Sequence, residues 1–547
     1  MNASVEGHLG RFLRKRIFSG SSPGQIVIAD PGLRPPEGSH IDDALLARLM
    51  KDPEFITHIG SRLVKMPKWS PRTPLSSLIS SGSLQKLSSD SELKELMMTW
   101  STDEDFIPAS IGVLAGIRDV ASEEDWKNYK KLAVAISLVD DQIYPSPLPH
   151  AQVDLTLLAP APNPVEKFED LVVADKGGLL LRDLASLSVG ELFFVVAHKI
   201  PLEDLKWARQ NRFRTGGNNL AASSFSSVKY QDARIKSSAY SWTEMPYTPG
   251  NILRQGGICV DQAYFADLMC KSSGIPSMMF TGTGDEGGHA WVGFLTESGE
   301  WNVTVGRQGG LYLTGKTFNP QNWLPETDHD FGFFTAEKSA SARFESNLST
   351  MFWEEGLFDT AALAINSASS LAPSVPSIWE KKFKYTAKTA KPSQISSDLK
   401  STLRNKELSP SVRASVKKEL ASTERELGRH ASARRVEKNI VEENLTTRAD
   451  ISTQTVADRV RSLLETGETD KALSEFKIAI RDLPAGSRGD FFYNVARPLG
   501  GYLSDIGKRP QAMQVARLAR QKLNPPKDSL LDQDLRELEE KASRTKR

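Results

Sequence analysis

Cysteine is almost absent, with two in 547 residues. A disulfide framework is thereby excluded, and the redox compartment leaves no mark on the sequence. No run reaches the roughly 18 apolar residues of a membrane span, so no spanning segment is expected. The basic stretch Arg11–Arg16 has no apolar run behind it, and no signal peptide is visible. The chain reads as cytoplasmic by default, or as exported if a signal segment has been removed. An excess of one charge is lacking too. The 69 Lys and Arg face 68 Asp and Glu, a net of +1, which gives no global case for nucleic acid. CxxC, HExxH and calcium-loop spacings are missing, so neither metal nor cofactor is expected.

What is present divides along the chain. Residues 1–40 are rich in Gly, Pro and Ser and read as an irregular lead-in. Residues 41–150 carry apolar residues at helical spacing in IDDALLARLM, SELKELMMTW and EEDWKNYKKLAVAISLVDDQ, with helix starts at Asp90 and Ser122. They predict an all-α N-terminal module for packing or interaction. The proline clusters PSPLP and APAPNP fit neither a helix interior nor a central strand and mark a boundary. Residues 151–335 then form the expected core. His198, behind FFVVA, reads as a satisfied core or surface histidine. Residues 214–250 are polar and read as a long irregular segment. Its Tyr230, Tyr240, Trp242 and Tyr247 either wall a cleft or pin the segment to the core.

The chemistry concentrates in Gly256–Trp291. From Cys259 to Lys271 the residues suit a helix and are apolar nearly all round, the pattern of a buried helix. Gly274 and Pro276 end it. Ser277–Thr281 reads as a strand, glycines 282, 284, 287 and 288 as a flexible loop, HAWVGFL as a second strand and WNVTV as a third, after a turn at residues 297–300. Cys259 in a first helical turn faces unpaired N–H groups that favour a thiolate. A histidine on a facing strand can accept the thiol proton and return it to a leaving group. The N–H of Cys259, and Gln255 just upstream, are candidate oxyanion donors. Cys270 lies eleven residues on, roughly 16 Å along the helix, and is expected to be structural.

These residues resemble the transglutaminase-like superfamily. G-x-C-x-(D/E)-x-A is followed by Gly274-Ile275-Pro276 fifteen residues after the cysteine and by His289-Ala290-Trp291 thirty after it. The resemblance covers about a tenth of the chain. It implies an α+β papain-like core, a cysteine-bearing helix packed on an antiparallel sheet. Cys259 takes the place of the nucleophile and His289 that of the general base. The family's aspartate, on the strand after the histidine strand, is missing, and Val305 stands near its place. With Ser298 and Gly299 at the turn centre, paired positions sum to 597, which sets Gln308 opposite His289. Thr304 and Asn302 then share the histidine's face. Gln308, Thr304 and Asn302 are therefore the candidates for a third, orienting member. Asp328-His329-Asp330 has no metal-site spacing, although Asp328 or Asp330 folding back onto His289 is a further candidate.

Residues 336–547 read as an all-α, helical-repeat region. Trp353–Pro373, Leu463–Pro484 and Leu503–Pro525 each place a bulky residue, a Gly at a turn, small residues and a closing Pro. They resemble tetratricopeptide units, which implies a surface for a protein partner. Between Lys381 and Asp450, 17 Lys and Arg against 9 Asp and Glu give a local +8, read as solvated helix faces or an acidic partner. The expected function is thiol-dependent acyl transfer or hydrolysis on a protein or peptide carboxamide, as a transglutaminase-like acyltransferase or a cysteine protease or amidase. The competing expectation is a catalytically impaired core in a protein-binding scaffold.

Overall fold

The computed structural model describes residues 86–543, apart from 104, 106, 142–149, 214–216, 238, 244, 285–286, 310, 331–338, 482 and 484–486. The lead-in, the first predicted helix and PSPLP lie outside the described residues. The described residues are mostly helical, with one five-stranded antiparallel sheet among them. Among the described residues no helix is long and apolar enough to cross a membrane.

Among the described residues, helical positions 86–89 are followed by α1 (Ser91–Trp100), α2 (Ile107–Val120) and α3 (Glu123–Val139). Asp90 and Ser122 cap α1 and α3, accepting the backbone N–H of Leu93 and Asp125, the third residue of each helix. The chain continues through α4 (Pro164–Lys176), α5 (Val189–Val196), α6 (Leu202–Asn211), α7 (Gly217–Ser227), α8 (Asp232–Lys236) and α9 (Pro249–Gln255). Within segment 214–250, read as irregular, residues 217–227 and 232–236 are helical, whereas 239–243 and 245–248 are irregular. Leu220, Ala221 and Ser224 of α7 are buried, and such small residues let it lie close against the next helix, α10 (Cys259–Ser272). Tertiary burial outweighs its Ser- and Asn-rich propensity.

Every residue of α10 except Val260 and Gln262 is buried. Asp261 starts it by accepting the Ile258 N–H at 2.8 Å, and Gly274, at φ +74°, closes it. The chain then builds β1 (Ser277–Gly284), β2 (Gly287–Leu295), β3 (Trp301–Val305), β4 (Lys316–Phe318) and β5 (Pro325–Thr327), in the order β3-β2-β1-β4-β5. The glycines read as a loop belong to β1 and β2. A Cβ at Gly282 would meet Trp291 at 2.8 Å, and one at Gly284 would meet the Leu311 carbonyl at 2.4 Å. Gly282 and Gly284 thus serve close approach, not flexibility.

The C-terminal region runs through α11 (Ala340–Glu354), α12 (Phe358–Leu371), α13 (Pro376–Thr389), α14 (Pro392–Thr402), α15 (Pro410–Glu426), α16 (His430–Asn444), α17 (Ala449–Glu465) and α18 (Thr469–Arg481). It ends with α19 (Arg488–Phe491), a π turn at Phe492–Ala496, α20 (Arg497–Asp505), α21 (Arg509–Leu523) and α22 (Leu530–Ser543). The three repeat look-alikes are antiparallel helical hairpins, turning at Gly356, Gly467 and Gly507 with φ +75°, +76° and +82°. A fourth, unforeseen, joins α15 to α16 through Gly428 at φ +74°.

The apolar core ignores the proline boundary. One continuous cluster joins α1–α5 to Phe280 and Trp291 of the sheet and to α11–α13 as far as Tyr385. A separate cluster, Val456–Ala542, holds the last helices together. Polar ties reinforce the first. Gln321 Nε2 donates to the Trp100 carbonyl at 2.6 Å, and Asn347 Nδ2 donates to that of Met98 at 2.6 Å.

Candidate active site

Cys259 opens α10 and is 7% exposed. Its side chain packs against Ala290 on β2. Ala290, Cys259 and Ala263 form a small apolar cluster. The thiol therefore rests against β2 one residue from His289. Strand alternation sends the Ala290 methyl towards α10 and the His289 ring to the opposite face. There the imidazole stacks on Tyr312 at 4.7 Å and lies 6.0 Å from Trp291. The thiol thus packs on one face of β2 and the imidazole lies on the other, beside the edge that faces β3.

That edge is open for a local reason. Beyond the 296–300 turn, Leu295 pairs with Trp301 and Phe294 with Asn302, a sum of 596. A bulge then restores 597 at Val292 and Val305, where pairing stops. Gly306, at φ +84°, turns the chain away, so Gln308 never comes opposite His289. Asn302 and Thr304 bond to each other, Thr304 Oγ1 donating to Asn302 Oδ1 at 2.7 Å. None of the three expected orienting residues touches the imidazole. His289 Nε2 instead donates to the Gly306 carbonyl at 2.8 Å. This bond puts the proton on Nε2 and the lone pair of the neutral ring on Nδ1. A main-chain carbonyl thus fills the orienting place, and it is invisible to a search for side chains. The glycine ending WNVTVG was the signal that could have found it. A Cβ there would lie 2.2 Å from Phe225, which itself packs on the Cys259 cluster.

Asp328 and Asp330 do not reach the histidine directly. Asp328 pairs with Arg307, which lies 5.0 Å over Trp291 and donates through Nε to the Tyr312 carbonyl at 2.9 Å. It fastens the segment that carries the ring stacked on His289. Asp330 pairs with Arg448. Among the described residues no group of three or more His, Cys, Asp or Glu is arranged to hold a metal ion. Gln255 ends α9. Its carbonyl accepts Gln231 Nε2 at 2.6 Å and its Oε1 is buried without a partner, and no bond joins it to Cys259 or His289. His198 is buried, its Nδ1 accepting the Ile200 N–H at 3.2 Å, and burial holds it neutral.

Behind the thiol lies a buried charge network that sequence reasoning missed. Asp261 is 0% exposed. Beyond the Ile258 N–H, it accepts from Arg234 Nη1 at 2.8 Å and from Tyr247 OH at 3.0 Å. His150 Nε2 meets the Tyr247 oxygen at 2.7 Å and lies 3.6 Å from Asp261. Tyr247 and Trp242 are buried and pin their segment to the core, whereas Tyr230 is 41% exposed. The signal was the D of C-x-D, a carboxylate three residues after an uncapped Ile258.

Electrostatics here differ from the expectation of a stabilised thiolate. Burial pushes the Cys259 thiol up, and the Asp261 charge adds to this. The N–H groups of Ala290, Val260 and Cys259 itself pull the other way without prevailing. The resting form is the neutral thiol, which needs a base to become a nucleophile. Cys270 is fully buried among Ala266, Ile275, Val292 and Phe294, and burial pushes its thiol up further.

No protein-family model matches the chain, and no curated protein matches it.

Proposed function

We propose that this protein performs thiol-dependent acyl transfer or hydrolysis on a protein or peptide carboxamide, from a papain-like, transglutaminase-like core. The observation that carries the reading is the packing of Cys259 against Ala290. It joins the first turn of a buried helix to the strand residue beside His289, whose tautomer is set by Gly306. In the proposed reaction the Cys259 sulfur attacks the carboxamide carbon and the thiol proton passes to His289. The C–N bond breaks, and ammonia or an amine leaves with that proton. Water or a second amine, deprotonated in turn by His289, attacks the thioester and restores the thiol. The C-terminal hairpins resemble tetratricopeptide units and supply a surface for a protein partner.

Trapping the thioester tests this. Incubation with pooled glutamine- and asparagine-containing peptides and hydroxylamine is expected to yield hydroxamates by mass spectrometry, and Cys259→Ala to yield none. Absence of hydroxamate, together with alkylation of Cys259 no faster than Cys270, would overturn the reading. One observation favours the scaffold alternative. A thiol 7% exposed and pushed up by burial is what an inert core cysteine has.

A further inference from the structure

The β1–β2 hairpin, whose second strand carries His289, does not stand alone. Its tip is held by the far end of the chain. Gly489, in α19, lies so close to Gly284 that a Cβ on it would sit 2.5 Å from the Gly284 carbonyl. The next residue, Asp490, is 7% exposed, and its Oδ1 accepts the Thr283 hydroxyl at 2.7 Å. On the other arm a Cβ at Gly287, φ +102°, would meet Leu530 of α22 at 2.8 Å. These contacts fall one and two residues from the histidine: Gly282 pairs with His289, Thr283 with Gly288 and Gly284 with Gly287. Two residues after Asp490 the helix widens into the π turn at Phe492–Ala496, an irregularity that recurs where a helix serves a site.

We propose that Gly489 and Asp490 are positioning residues for His289, so that the C-terminal helices complete the site instead of merely adjoining it. The hairpin tip has Gly at 282, 284, 287 and 288. Such a strand pair has little side-chain packing of its own to fix its twist. The clamp supplies what the hairpin lacks, through one hydrogen bond and two backbone approaches that only glycine allows. The bond needs an acceptor at 490, not a charge. An amide oxygen at the place of Asp490 Oδ1 can accept the same Thr283 hydroxyl.

The inference rests on the Cys–His reading, and the test separates the two. In the full chain, iodoacetamide alkylation of Cys259 is followed across pH, and the His289→Ala rate is subtracted. Thr283→Val and Asp490→Leu are expected to lose about 3- to 10-fold of the His289-dependent component, the worth of one hydrogen bond. Thr283→Ser and Asp490→Asn, which keep donor and acceptor, are expected to retain it. If the Val and Leu variants keep the wild-type rate and pH profile, the inference is overturned. A faster, His289-independent alkylation would mean only loosened packing and would overturn it too. If wild type itself lacks a His289-dependent component, the Cys–His reading fails. The clamp is then judged on the ¹⁵N signal of the His289 ring. It stands if Val and Leu variants shift or broaden that signal while Ser and Asn variants do not, and it falls if all leave it unchanged.

Discussion

Replacing Asp261 by alanine strikes the support directly beneath the nucleophile. The carboxylate is fully buried, and the change strips Arg234, Tyr247 and the Ile258 N–H of their common acceptor. Removing one partner of a buried ion pair costs about 3–5 kcal/mol, because the remaining charge stays buried and unpaired. Against a typical total of 5–15 kcal/mol, this is a large fraction. Asp261→Asn keeps an acceptor oxygen but loses the charge, and about 1–3 kcal/mol is expected. The pH dependence has a definite sign. Burial pushes the Asp261 carboxyl up, but His150, the Ile258 N–H and Arg234 together hold it below the usual range. A carboxyl lowered on folding stabilises fully above its unfolded value of about 3.9 and loses that contribution as pH falls through the native value. Urea unfolding followed by tryptophan fluorescence, between pH 2 and 7, measures both quantities. A loss below about 1 kcal/mol for Asp261→Ala, or the same acid dependence in Asp261→Asn as in wild type, would refute the network account.

Gly306→Ala is expected to cost about 2–4 kcal/mol, since it adds strain at φ +84° to a 2.2 Å clash with Phe225, and to displace the carbonyl from His289. Thermal unfolding and the His289 ring ¹⁵N shift read the two effects. Burial pushes the Glu326 carboxyl up to about 7, against about 4.3 unfolded, so this residue makes stability fall as pH rises between those values. Glu326→Gln is expected to remove that part of the slope in a series of denaturation midpoints. Arg307→Ala releases Asp328 and the Tyr312 carbonyl, and faster hydrogen exchange is expected across residues 311–315 than in wild type.

The buried helix, the three strands after it and the hairpins were legible because each carries a local cause. Apolar residues all round α10, short apolar runs bounded by turn residues around His289, and glycine before each second repeat helix are properties of short windows. What stayed hidden depends on distant chain. Segment 217–227 is a helix because α10 lies against it, while its own Ser and Asn content argues otherwise. The bulge between Val292 and Phe294 changes the register by one, and the turn at Gly306 ends the ladder early. A pairing sum taken from the turn alone reaches neither. Asp261 joins His150, 111 positions away along the chain, and no spacing rule spans that distance. The lowered thiol was expected from a helix start, but burial and the Asp261 charge outweigh N–H groups whose pull fades within one turn.

The most direct test of the central claim is the rate of iodoacetamide alkylation of Cys259 at neutral pH, in wild type and in His289→Ala, with Cys270 as internal reference. The account predicts that Cys259 labels faster than Cys270 despite its raised thiol, and that His289→Ala removes the difference. Equal rates in both proteins would contradict it and leave the helical hairpins as the functional part.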